Sequence, residues 1–332
     1  MGGRAAAAAK KFIQRNSHAD RPRENESRGL PPSLPSPSRG EGEICRTFVD
    51  DGTLMTPLVI TLVLCAAILH ASWNAVLRGR SDQLWSVTVM SFAATAIAIP
   101  AVLLLPLPAP ASWPFLSLSG VLQVAYSAFL VFAYRHADLG QVYPMVRGAV
   151  PLLVTLGAAI FAGEHLSVSA VSGIVLVSLG IMSLALGKGR AHPKAVTAAL
   201  ANSLIIATYT VTDGIGARLS GNSFAYVTWI FLIYGVLMPA AFLGVRRKLV
   251  VDWRARETHV AMVAGAIQLV TYGTVIWALT MAPIGPVSAL RETSILFAAL
   301  IGRMFLSEPL TARRLSACLV IAAGAACLGY LA

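Results

Sequence analysis

Charge is the first thing this sequence has little of. Only 12% of its 332 residues are Asp, Glu, Lys or Arg, against about a quarter in an average soluble domain, and a water-facing globular surface cannot be assembled from so few. Acidic side chains are scarcer still, 15 against 26 basic ones, which leaves a formal net charge of +11. That imbalance does not build a nucleic-acid face, because most of the positive residues sit in short clusters between apolar runs, as in the cytoplasmic loops of membrane proteins. Cysteine numbers four: Cys45 in a polar stretch, and Cys65, Cys318 and Cys327 inside apolar ones. With no CxxC and no His/Cys cluster, neither a disulfide framework nor a metal site is expected, and nothing asks for a cofactor. HExxH, GxSxG and paired aspartates within apolar runs are also missing, so an intramembrane enzyme lacks a catalytic set. There is no ATP site; the glycine-rich GIGARLSG at 214–221 follows a membrane helix rather than a strand and is a weak phosphate motif.

What is abundant is apolar. Hydrophobic residues make up 56% of the chain and the mean hydropathy is +0.71, the composition of a polytopic membrane protein. From Pro57 onward, stretches of about 20 apolar residues, enough to cross the hydrocarbon core as a helix, recur at 57–76, 85–105, 114–134, 139–161, 168–186, 195–213, 224–243, 259–281, 284–305 and 311–331. The expected fold is therefore all-α, with ten transmembrane helices. Residues 1–54 differ in kind. RPRENESRGLPPSLPSPSRGEGE has too few apolar groups to offset the entropy of ordering, so a disordered tail is expected there. Met55, which opens MTPLVITLVLCAAILH, makes that tail a candidate over-extended start.

The span 139–161 carries an arginine and two prolines, and it has an echo. LGQVYPMVRGAVPLLVTLGAAIFAGEHL is matched by IGPVSALRETSILFAALIGRMFLSEPL: Gly140 with Gly285, Arg147 with Arg291, Gly163-Glu164-His165-Leu166 with Ser307-Glu308-Pro309-Leu310, and Gly180 with Gly324. Gln123 and Gln268 recur one helix earlier in each half. The chain thus reads as two five-helix repeats, 57–187 and 194–332. An odd number of spans per copy sets the copies in opposite orientations, the plan of many secondary transporters, whose sites lie near mid-membrane between the halves. Loop charge gives the orientation. One side of the ten-span layout holds fourteen Lys and Arg, among them Arg78, Arg80, Arg246, Arg247, Lys248, Arg313 and Arg314, whereas the other holds only Arg218. Positive loops stay cytoplasmic, so both ends of the helical core are expected outside the cytoplasm, although the basic tail favours the reverse.

These residues resemble the EamA family of the drug/metabolite transporter superfamily. The likeness is carried by HASWNAVLRGRSD in the first span, AYRHADLGQVYPMVRGAVPLLVTLGAAIFAGEHLS across the third to fifth, and LRETSILFAALIGRMFLSEPLTARRL near the end. It covers nearly everything after Met55; Ser307 stands where a glycine is more usual. The resemblance implies a multi-pass inner-membrane carrier of small metabolites, often an exporter, working through a central cavity; the alternative on the same fold is a flippase of a lipid-linked or amphiphilic solute. Its partners are then a small-molecule solute and membrane lipid.

Buried ionisable groups are the sites to watch, because a charge at bilayer depth costs at least about 2.5 kcal/mol and is tolerated facing a bundle interior or a cavity. Pro144, Arg147 and Pro151 share one helical face, bordered by Tyr143. Each proline frees a carbonyl one turn back, those of Gly140 and Arg147, so a cation and an acceptor lie together, as a zwitterionic solute requires. The competing reading is a kinked helix whose arginine only holds the bundle together. Ser288, Arg291 and Ser294 form a second stripe. Because adjacent helical residues do not face each other, Arg291 and Glu292 are expected to partner other helices, with Glu292 placed to neutralise Arg147. Glu292 and His70 are the candidate proton-coupling groups, set against a static ion pair and a bonded core histidine. Trp73, Asn74, Gln123, Tyr209 and Gln268 complete the expected substrate-binding set with Arg147, Tyr143 and Arg291; Tyr126, Tyr272, Asn202 and Asp213 lie on the same polar stripes. Singly, each is also a candidate for helix-packing hydrogen bonds. Glu164 and Glu308 end their helices and suit solvated or capping positions.

Overall fold

A computed structural model describes residues 55–78, 82–136, 139–185, 193–305 and 311–330. The tail 1–54 and the Ser307-Glu308-Pro309-Leu310 element lie outside these residues. Within them, all regular structure is helical: α1 (Pro57–Arg78), α2 (Gln83–Leu104), α3 (Trp113–His136), α4 (Leu139–Gly157), α5 (Val168–Ser183), α6 (Pro193–Leu219), α7 (Ser223–Arg246), α8 (Arg256–Met281), α9 (Ile284–Glu292), α10 (Ser294–Phe305) and α11 (Ala312–Tyr330). Among the described residues, seven spans are long and apolar enough to cross a membrane: those in α1, α2, α4, α7, α8 and α11, and the segment Ile284–Ile301 across α9 and α10; α5 is apolar but shorter.

Side-chain caps mark where several helices begin. Asp82 accepts from the Trp85 amide at 3.1 Å, Ser167 from Ala170 at 3.1 Å and Asn222 from Ala225 at 3.0 Å, each satisfying an amide that has no partner within its helix. The prolines of α4 do not break it. The helix runs continuously through Pro144 and Pro151, then loosens into a π turn, Ala158–Ala162, and stops at Gly163 in the left-handed conformation (φ 68°). The segment 284–305, read from the sequence as one helix, is two. Thr293 follows Glu292 as a cap, its amide donating to Leu290 O at 3.1 Å and its hydroxyl to the same carbonyl at 2.6 Å. A threonine side chain competing for backbone acceptors is a local cause of such a break.

The distribution of side chains is that of a protein surrounded by lipid. Leu103, Leu104, Phe161 and Val168 are 75–84% exposed, while Arg147, Arg291, Glu292 and Asp213 are at most 5% exposed. The helices assemble through small residues where packing must be closest. α5 lies along α11, and a Cβ added to Gly324 would come within 2.8 Å of Gly173 O and of the Val177 amide; without a hydrophobic drive between helices in lipid, this close van der Waals approach is what holds such pairs. α2 packs on α7, α3 and α4 on α6, α8 on α1 and α2, and α9 on α4 and α1. The last contacts bring the Arg147 helix and the Arg291 helix together.

Candidate functional site

Where α4 and α9 meet, three charged side chains share one buried cluster. Arg147 Nη1 donates to both oxygens of Glu292, at 2.9 and 3.1 Å. Arg291 Nη2 donates to Glu292 Oε1 at 3.0 Å. Arg147 Nη2 lies 2.7 Å from His70 Nε2 on α1, and its guanidinium sits over the Tyr143 ring, 5.4 Å from the centroid. The expected neutralisation of Arg147 by Glu292 is therefore present. The expectation that Arg291 partners another helix is corrected: it reaches its own neighbour. The rule about adjacent residues describes where Cβ atoms point, and an arginine is long enough to fold back onto a carboxylate that α4 already holds beside the helix end.

Both oxygens of Glu292 accept from guanidinium groups, the arrangement of an ionised carboxylate. One carboxylate thus serves two guanidiniums. Arg291 Nε has no hydrogen-bond partner among the described residues, and neither do Trp73 Nε1 and Gln268 Oε1.

These orphaned atoms belong to residues that line one cavity. Its walls are His70 and Trp73 from α1, Val87 and Met90 from α2, Gln123, Tyr126 and Ser127 from α3, Arg147 from α4, Tyr209 from α6, Tyr234 from α7, Gln268, Thr271, Tyr272 and Val275 from α8, and Arg291 from α9. The cavity has a volume of about 70 Å³, room for on the order of five waters or one small solute. Edge-on ring pairs set the wall, His70 with Trp73 at 5.0 Å and Tyr126 with Tyr209 at 6.1 Å between centroids.

Of the expected site residues, His70, Trp73, Gln123, Arg147, Tyr209, Gln268 and Arg291 line the cavity together. Glu292 is fully buried behind the two guanidiniums. Tyr143 touches Arg147 but is not a wall residue, and Asn74 turns back along its own helix, donating to His70 O at 2.9 Å. Tyr234 and Ser127, linked at 3.2 Å, are wall residues the sequence reading did not single out. The only signal for them was a polar residue in an apolar run, which is too common to select on. Glu164 is a cap, as expected, though not of its own helix: its oxygens accept from the Ile284 amide at 2.8 and 3.1 Å, at the start of α9, and from Arg218 at 2.7 Å. Arg218 donates further to Leu279 O and Ala282 O, both at 2.9 Å. Among the described residues, no group of three or more His, Cys, Asp and Glu is placed to hold a metal.

One crystal structure, described only as that of a protein, superposes with a TM-score of 0.68 at 19% identity, over 82% of this chain and 99% of the other. At that identity the likeness speaks for the fold alone. No curated protein matches the sequence. Residues 193–330 match the EamA-like transporter family, a family of the drug/metabolite transporter superfamily, so the second part of this chain is similar to multi-pass membrane transporters.

Proposed function

We propose that the protein is a secondary carrier of the cell's inner membrane, exporting a small polar metabolite that bears a carboxylate, with amino acids the leading class, through the cavity lined by Arg147 and Arg291. The observation that carries this reading is the unequal charge of the wall: two guanidiniums share one carboxylate, and Arg291, whose buried Nε has no partner among the described residues, lines a space small enough for one such solute. Excess positive charge at bilayer depth is costly, and an anionic solute group beside the Arg291 and Arg147 guanidiniums would offset it with charge-assisted hydrogen bonds. The geometry moves the emphasis from Arg147, engaged by Glu292 and His70, to Arg291.

An arrangement of ten spans as two inverted repeats, 57–187 and 194–332, is supported by the pairing of helices. α2 pairs with α7, α5 with α11 and α4 with α9, while the contact of α3 with α6 is mirrored by that of α8 with α1. With the basic loops cytoplasmic, both ends of the helical core lie outside.

The test is flux into liposomes, with a labelled mixture of free amino acids as the probe. Wild-type protein moves some of the label. Arg291→Lys keeps the charge but loses the planar fork, and is expected to raise the half-saturation concentration at least tenfold while the protein stays folded. A folded Arg291→Lys protein with unchanged half-saturation makes the cluster structural and refutes the anion-binding wall.

A further inference from the structure

Glu292 is tied to two cations, yet the transmembrane bundle holds a second carboxylate that the site above does not use. Asp213, on α6, is completely buried and forms no ion pair among the described residues. Its partners are phenols from two other helices: Tyr226 of α7 donates to Oδ1 at 3.1 Å, and Tyr272 of α8 donates to Oδ2. Ser119 of α3 faces it as well. Tyr272 is also a wall residue of the cavity, and its oxygen accepts from Gln123 Nε2 at 3.1 Å. A single side chain therefore touches both the hidden carboxylate and the solute space.

A buried carboxylate held only by neutral hydroxyls is the costly case for a membrane interior: uncompensated charge in a low-dielectric setting is relieved by a cation or by a proton. The ionisable groups around Asp213 are Tyr226 on α7, Tyr272 on α8, Tyr209 on its own helix, and the more distant Arg291 on α9. Arg291 spends an Nη2 donor on Glu292. None of these groups gives Asp213 a bonded cation.

We propose that Asp213 is a proton-binding site and that its occupancy is read in the cavity through the direction of one hydrogen bond, that of Tyr272. With Asp213 ionised, the Tyr272 hydroxyl donates to Oδ2. When a proton from water binds Oδ2, the new Asp213 O–H donates to the Tyr272 oxygen, which continues to accept from Gln123. The phenol hydrogen then turns to the cavity, where it becomes a donor for solute. The proton leaves by the reverse step to water, no bond but O–H is made or broken, and Tyr272 itself never transfers its proton. Solute binding and protonation become linked because each favours the same orientation of one hydroxyl. This rests on the carrier reading above only for the identity of the cavity; proton binding at Asp213 is testable without any solute.

Infrared difference spectra of the purified full-length protein across a pH series decide the first part. A carbonyl band of a protonated carboxyl group should grow as pH falls in the wild type and be missing from Asp213→Asn. Tyr272→Phe, which keeps the ring against Phe231 and removes the hydroxyl, should retain the band and move the midpoint of its appearance by about one pH unit, a tenfold change in proton affinity. If Asp213→Asn does not fold, the Tyr272→Phe shift decides alone. Identical titrating bands in wild type and Asp213→Asn, or an unmoved midpoint in Tyr272→Phe, overturn the proposal. The second part uses liposomes containing a pH-sensitive dye and the labelled amino-acid mixture: protons moved per solute should fall to zero in Asp213→Asn, and an unaltered ratio refutes coupling through this residue. Absence of any flux in the wild type counts against the carrier reading for amino acids and leaves the infrared result to judge Asp213.

Discussion

Replacing Glu292 by Gln isolates what the buried cluster contributes to the fold. The side chain is completely buried and takes three guanidinium contacts, two from Arg147 and one from Arg291. Glutamine keeps the volume. It also turns one acceptor oxygen into an amide whose hydrogens meet guanidinium hydrogens, and it leaves two cations at bilayer depth with no counter-charge. Breaking a buried pair by removing one partner costs about 3–5 kcal/mol, and screening by water does not reduce this where neither partner is exposed. For a chain of this size the thermal midpoint should fall by on the order of 10 °C, read by intrinsic tryptophan fluorescence in detergent. A second variant separates lost charge from lost packing: Glu292→Gln combined with Arg147→Met removes the stranded guanidinium, and should recover part of the loss, because replacing a buried pair costs less than halving it. A Glu292→Gln protein as stable as the wild type, or a double variant less stable than the sum of the singles, would refute the reasoning. The same protein tests the expectation of proton coupling at Glu292: a static anchor lowers the midpoint and keeps the shape of the flux–pH profile, whereas a coupling group changes that shape.

Three further outcomes follow from other contacts. Gly324→Ala places a methyl within 2.8 Å of Gly173 O and the Val177 amide, so it should cost about 1–3 kcal/mol by prising α5 from α11, whereas Gly163→Ala meets nothing within 4 Å and should lose only about 1 kcal/mol from the left-handed backbone; thermal midpoints rank the two. Glu164→Ala leaves the Ile284 amide uncapped and Arg218 without its carboxylate, a loss of about 1–2 kcal/mol, and hydrogen exchange should rise first at the start of α9. A cytoplasm-active reporter fused after Ala332 should be silent and an exported one active; the opposite pattern places the basic loops outside and overturns the proposed orientation.

Hydropathy and length made the apolar helices legible, because about 20 residues is what a bilayer demands of any spanning helix. The break in the span 284–305 was not legible. Thr293 looks like any polar residue in an apolar run, and only its bonds to Leu290 O distinguish it from the other threonines that back-bond within intact helices, such as Thr88 and Thr210. The caps divide in the same way. Asp82, Ser167 and Asn222 act three residues along the chain and could be read there, but Glu164 caps a helix that begins 120 residues later.

The candidate site followed that division closely. Helical period put His70 with Trp73 and Pro144 with Arg147 on shared faces, and the bilayer's cost for charge turned Arg147, Arg291 and Glu292 into a cluster with one acid for two bases. Period says which face of a helix is polar and not which neighbour that face meets. Asp213 sits with Tyr209 on one such face, yet its partners come from α7 and α8, 13 and 59 residues away in the chain. Helical spacing placed Tyr272 on a polar stripe, but nothing local names it or Tyr226 as a partner of Asp213. Only packing does: α8 must cross α6 closely enough for a phenol to reach a carboxylate while its ring still forms part of the cavity wall. A polar pair that far apart in sequence is invisible until helix order is known, and for that reason the second buried carboxylate, rather than the arginine cluster, is where the structure adds most to the chemistry of this chain.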